Sequence, residues 1–350
     1  MHKIKSLLLA TSLLAYTAVS ASAEVNVVAS IKPVHSLVAA VMEGVGEPGL
    51  IIEGAGSPHN YALKPSQAQM LEKANLVFWI GHELEAFLEK PLETVGANAR
   101  SVELIDAHDL VRLGFREGGA FEKHSHGDQD DHDEAAAAGH DDHDDHGNEK
   151  TAEAGHDEDD HDHEKTGEAG HEGHDHGAFD AHVWLDPMNA KAMVHEIEEA
   201  LIAADPDNAA KYEANAEAVS AKLDTLIAEV GAELEPVKDK GFIVFHDAYQ
   251  YFEKRFGVTA SGSITVSPEV MPGAERITEI RARVQELGAA CVFAEPQFEP
   301  KLISTVIEGT QARSGVIDPL GAELENGPDL YFHVIRKMAS SIKTCLSEAS

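Results

Sequence analysis

Three short segments place a histidine beside turn or strand-end signals. They are Ser57-Pro58-His59-Asn60-Tyr61, Asp180-Ala181-His182-Val183-Trp184-Leu185-Asp186-Pro187 and Val244-Phe245-His246-Asp247-Ala248-Tyr249. Imidazole suits Zn²⁺, and three histidines can supply most of a tetrahedral site. His59 follows a turn rich in Gly and Ser, and His246 stands where a strand gives way to a helix. In α/β folds, ligands collect at the carboxyl ends of strands. The three histidines are far apart in the chain, so only the fold can bring them together. By residue type alone each is either a ligand or a satisfied structural histidine.

Other histidines carry less. His35 lies in a helical pattern and reads as packed, and His82, His108, His195 and His333 read as surface residues. Glu295 has two readings: it orients a site histidine from behind, or it is a capping or salt-bridge carboxylate.

A second kind of chemistry lies between Glu117 and Gly177. This stretch holds 22 acidic residues against three lysines (Lys123, Lys150, Lys165), a net charge of −19, and 12 of the 21 histidines. It is low-complexity Asp, Glu, His, Gly and Ala. It has too little apolar surface to offset its ordering entropy and is expected to be disordered. Its histidines His140, His143, His146, His161, His163, His174 and His176 stand among carboxylates, as in His161-Asp162-His163. Such clusters make several weak sites for a divalent metal. The functional reading is a flexible collector or sensor of zinc; the plain one is a solvated acidic loop.

The whole chain has 350 residues and a formal net charge of −35. That argues against a nucleic-acid binder, which needs Lys and Arg against phosphates, and against docking on an anionic membrane. Residues 1–23 read as a secretory signal: basic Lys3 and Lys5, apolar Leu7 to Val19, and Ala21-Ser22-Ala23 before the cut. The apolar stretch is too short for an anchor, and no later apolar run is long enough to span a bilayer. A soluble, exported chain is expected. Cys291 and Cys345, the only cysteines, are then expected to form one disulfide.

The elements that must hold the three histidines follow a βα alternation. Strand signals fall at Val25–Ala29, Gly49–Ile52, Leu76–Ile80 and Val102–Ile105, with helical spacing at Pro33–Met42, Lys64–Ala74 and Glu83–Val95. After the acidic stretch come a helix at Met188–Ala203 and one long helix from Pro206 to about Leu234. A second series follows. Its strands are Phe242–Phe245, Val258–Thr265, Cys291–Ala294 and Gly315–Ile317. Its helices are Ala248–Phe256, Ala274–Leu287, Lys301–Gly309 and Leu330–Ser347. The reading is α/β: two similar lobes, each a mostly parallel sheet flanked by helices, joined by one long rigid helix. The organisation is 1–23 signal, 24–205 N-terminal lobe with the insert 117–177, 206–236 linking helix and 237–350 C-terminal lobe.

At this point the sequence resembles the periplasmic zinc-binding solute receptors of bacterial zinc-uptake ABC transporters. The resemblance rests on the three histidine segments with Lys64-Pro65-Ser66, Trp79-Ile80-Gly81 and Glu85-Ala86-Phe87. It extends through Gln250-Tyr251-Phe252, Phe293-Ala294-Glu295-Pro296-Gln297-Phe298 and Asp318-Pro319-Leu320-Gly321. It covers most of 24–350. It implies that His59, His182 and His246 are metal ligands in a cleft between the lobes. It leaves the fourth ligand open between Asp318 and a water: manganese-binding relatives use an Asp at the position of Asp318. Some zinc-binding members carry a Glu where this chain has Pro58. The manganese branch has a carboxylate where His246 stands, and a third imidazole favours zinc. The implied function is capture of Zn²⁺ in the periplasm by a monomer and delivery to a membrane ABC permease. The rivals are a zinc buffer or chaperone and a zinc hydrolase, since three histidines and a water also form a catalytic zinc site. The chain has no His-Glu-x-x-His motif and no obvious general base, so a non-enzyme is expected.

Overall fold

The computed structural model describes residues 25–116, 121, 179–265, 273–286, 288, 290–298 and 301–348. The expected signal segment 1–23 and the expected insert 117–177, with His140, His143, His146, His161, His163, His174 and His176, lie outside the described residues apart from Phe121.

The first sheet has strands β1 (Val27–Ala29), β2 (Gly49–Leu50), β3 (Leu76–Trp79) and β4 (Arg100–Glu103) in the order β2-β1-β3-β4, all parallel. Strand β3 is buried along its whole length. That is why it reads as an unbroken apolar run rather than an alternation. Helices α1 (Lys32–Val41), α2 (Pro65–Lys73) and α3 (His82–Thr94) connect the strands, and α4 (Pro187–Ala204) packs beside α1. The second sheet repeats the order: β6 (Ala260–Thr265), β5 (Phe242–His246), β7 (Cys291–Ala294), β8 (Arg313–Val316), again parallel. Its helices are α6 (Gln250–Phe256), α7 (Ala274–Glu286), α8 (Lys301–Ile307) and α9 (Leu330–Glu348).

Between the lobes runs α5 (Ala209–Leu234), with a 3-10 turn before it at Pro206–Asn208 and another after it at Glu235–Val237. Tyr212, Ala216, Val219, Leu223, Leu226, Val230 and Leu234 are buried along one stripe. Their three- and four-residue spacing keeps one face turned inward over the helix's full length. Gly231, the one weak point of the pattern, leaves the helix continuous. α5 touches α1 and α4 on one side and α6 and α9 on the other. One apolar cluster runs through both lobes, from Val34 and Leu37 to Tyr331 and Ile335.

Polar bonds also cross between the lobes. Lys32 Nζ donates to the carbonyls of Leu324 at 2.6 Å and Ala322 at 3.2 Å. Trp184 Nε1 donates to the Pro319 carbonyl at 2.9 Å. Cys291 and Cys345 form a disulfide between β7 and α9. Closing a loop with a sequence separation of 54 stabilises the fold by about 4 kcal/mol in the chain-entropy account.

Candidate metal centre

Each of the three histidines stands on a different structural device. His59 sits in a one-turn 3-10 helix, Pro58–Asn60, between β2 and α2, opened by the Ser57 hydroxyl, which accepts from the His59 amide at 3.4 Å. His182 precedes the 3-10 turn Val183–Leu185, whose end is tied to α4 by Asp186 capping the Met188 amide at 2.8 Å. His246 is the last residue of β5. In the second sheet the strand order reverses between β5 and β7, so His246 and Glu295 stand at the carboxyl ends flanking the switch point. That is where α/β sheets hold ligands.

The structure brings the three rings together. Their centroids lie 5.1 to 5.8 Å apart, and one nitrogen from each falls within 4.8 Å of the others. His182 and His246 are buried and His59 is half-buried. The His246 and His182 Nε2 atoms are 3.3 Å apart. With Zn–N bonds of about 2.0–2.1 Å, one edge of a tetrahedron around Zn²⁺ is about 3.3–3.4 Å. The space beside them is lined by Ser57, Trp184, Gln297 and Phe298.

Two carboxylates set the tautomers. His246 Nδ1 lies 2.6 Å from Glu295 Oε1, and His182 Nδ1 lies 2.6 Å from Asp180 Oδ1. A carboxylate only accepts, so each ring donates from Nδ1 and turns the lone pair of Nε2 inward. Two such lone pairs at 3.3 Å repel each other unless a cation lies between them. Asp180 is itself held: its Oδ2 accepts from Gln250 Nε2 at 2.7 Å. Burial opposes charge on His246, but Glu295, Asp180 and Asp247 together raise its pKa above the ordinary value. Burial, with His182 and His246 beside it, pushes His59 well below. The facing Nε2 lone pairs of His182 and His246 are the donors this arrangement offers a metal.

Glu295 takes the first of its two sequence readings. The role of Asp180 was missed. The spacing Asp-Ala-His held the signal, because a carboxylate two residues upstream can accept from both the amide and the ring of His182, at 3.0 and 2.6 Å. Asp318 lies after β8 and is not in the cluster of three. Its Oδ1 accepts from Gln297 Nε2 (3.0 Å) and the amides of Leu320 (3.1 Å) and Gly321 (2.9 Å), and its Oδ2 from the Ala322 amide (2.7 Å). His35 is packed in α1, with Nε2 3.0 Å from the Pro48 carbonyl. His108, His195 and His333 are exposed, and His82 is half-buried beside Glu83.

The family model for zinc-uptake complex component A, periplasmic (ZnuA), matches residues 27–345. The high-affinity zinc uptake system protein ZnuA of Brucella suis biovar 1 is 54% identical over 350 residues, covering 99% of this chain and 100% of the relative. The protein of the same name from Yersinia pestis is 36% identical over 324 residues, covering 93% of this chain and 92% of the relative. A crystal structure of ZnuA superposes with a TM-score of 0.66 at 22% identity, covering 91% of this chain and 100% of that one, which establishes a common fold.

Proposed function

The chain belongs to the family of periplasmic zinc-uptake complex A components, and on that premise we propose that it captures Zn²⁺ through His59, His182 and His246 and passes it to a membrane ABC permease. The observation that carries the reading is the convergence of three imidazoles, with one nitrogen from each within 4.8 Å of the others. The ion is cargo, so binding has to be tight enough to collect it and still reversible at the permease. A water completes the tetrahedron in this reading, because four donors already engage the Asp318 carboxylate. Three imidazoles favour zinc over manganese, since nitrogen donors suit the softer ion. The histidines of 117–177, among them His140, His143, His146, His161, His163, His174 and His176, add weaker sites that gather zinc near the chain. The molecule acts as a monomer.

The test is a metal analysis of protein purified without added metal, beside His59→Ala, His182→Ala, His246→Ala and the triple variant. One tightly held zinc in the parent and none in the triple variant is the expected result. Nanomolar retention in the triple variant overturns the reading. Growth in chelated medium with and without the gene separates an importer subunit from a zinc buffer.

A further inference from the structure

Next to His246, where β5 gives way to α6, a group of buried carboxylates is organised by one arginine, Arg116. Arg116 stands just before residue 117, on the segment that follows β4. Its Nε lies 3.0 and 3.1 Å from the two carboxylate oxygens of Asp247, the neighbour of His246. Its Nη1 and Nη2 reach Glu253 Oε2 at 2.8 Å and Oε1 at 3.0 Å. Asp247 and Glu253 are both buried. Glu253 Oε2 also accepts from the amide of Ala260 at 2.8 Å, where β6 begins beside β5. The guanidinium thus uses two faces of its fork to fix the corner between β5 and α6, and Phe121 stacks on it at 4.2 Å.

The same corner carries the other link. Gln250, the first residue of α6, donates to Asp180 Oδ2 at 2.7 Å and to the Gly114 carbonyl at 3.2 Å. Gly114 pairs with Phe179 across an antiparallel bridge, and the Asp180 amide donates to Leu113 at 2.9 Å. The β5–α6 corner therefore has two links to the histidines: Asp247 is the chain neighbour of His246, and Gln250 holds Asp180, which orients His182.

We propose that Arg116 is a positioning residue for the zinc site, holding the β5–α6 corner so that His182 and His246 face one ion. This rests on the zinc-capture reading above. Removing Arg116 leaves two buried carboxylates without their cation, an arrangement that costs far more than a lost surface pair. The corner then relaxes, and the two Nε2 atoms lose their spacing. Lysine does not replace it, because a point charge cannot hold two carboxylates through a planar fork.

The experiment uses the full chain as parent, Arg116→Gln, Arg116→Lys and the control Arg336→Gln, whose partner is Glu229 on exposed α5. Zinc affinity is read by competition with a chromogenic chelator, and ligand geometry by the visible spectrum of the Co²⁺-loaded protein. R116Q is expected to keep one zinc but bind it about tenfold or more weakly, with an altered Co²⁺ spectrum. R116K is expected to be weakened too, and R336Q unchanged. Parent-like affinity and spectrum in R116Q overturn the proposal, whatever its melting temperature. If R116Q does not fold, R116K decides by the same two readouts. A parent chain without tight zinc binding would instead defeat the zinc-capture reading.

Discussion

His246 Nδ1 and Glu295 Oε1 lie 2.6 Å apart, both buried, with the ring's other nitrogen turned toward His182. The carboxylate fixes the tautomer and makes Nε2 a stronger donor to metal. Glu295→Gln keeps the size and one acceptor but removes the charge. Zinc affinity is expected to fall about 10- to 100-fold, with Asp180→Asn falling similarly. Chelator competition measures it, and parent-like affinity in both variants would show that the carboxylates only pack.

Zinc must compete with protons for one ring nitrogen of each of the three histidines. Binding therefore releases protons wherever a free imidazole is charged. Because the carboxylates around His246 raise its pKa, affinity is expected to weaken as pH falls through the imidazole range, with the dissociation constant rising as pH drops. A series of zinc titrations from neutral to acid pH checks this, and a constant affinity contradicts it.

Glu85 gives a separate dependence of stability on pH. It is wholly buried, with Oε1 2.5 Å from Ser30 Oγ and Oε2 3.1 Å from the amides of Ile80 and Gly81. Reaching them bends its backbone out of helical geometry inside α3 (φ −114°, ψ 52°). Gly81 permits the approach: at φ 151° a side chain is strained, and a Cβ would meet Ile105 at 3.1 Å. Burial pushes the Glu85 pKa from 4.5 up to about 8, against the bonds from Ser30 and the two amides. Between those values the unfolded chain has lost the proton that the folded chain keeps. Stability is therefore fully present below the lower value and falls as pH rises through the window, by roughly 1.4 kcal/mol per unit. Urea unfolding of the zinc-free protein from pH 5 to 9 should show Glu85→Gln gaining on the parent as pH rises. A flat difference would mean that Glu85 is ionised throughout.

Much of the fold was legible because its signals are local. The apolar run Leu76–Ile80 reads as a strand covered on both faces, and the apolar spacing from Pro206 to about Leu234 as one long helix; the strand is Leu76–Trp79 and the helix Ala209–Leu234. The helix expected from Pro206 begins with a 3-10 turn, and that from Ala248 starts at Gln250, because Ala248 and Tyr249 form the turn after His246. The three histidines stood out through their turn and strand-end settings. Asp180, Arg116 and the bonding of Asp318 did not. Their partners lie on other elements or on backbone amides of the same turn, and residue type does not record which oxygen faces which donor.

The last prediction concerns the segment between Arg116 and Phe179. The three proposed ligands, their two orienting carboxylates and the Gly114–Phe179 bridge all lie outside residues 125–177. Removing 125–177 keeps Arg116 and Phe121 in place while deleting His140, His143, His146, His161, His163, His174 and His176. Zinc titration of the shortened chain is expected to show one tight equivalent with parent affinity and none of the weaker ones. In the proposed reading, neighbours such as His161 and His163 chelate metal locally, so their loss removes only sites that need no fold. Carrying the deletion back through Arg116 should also weaken the tight equivalent, because the β5–α6 corner then loses its clamp. A tight site that vanishes with 125–177 alone would place at least one ligand inside that segment and contradict the three-histidine centre.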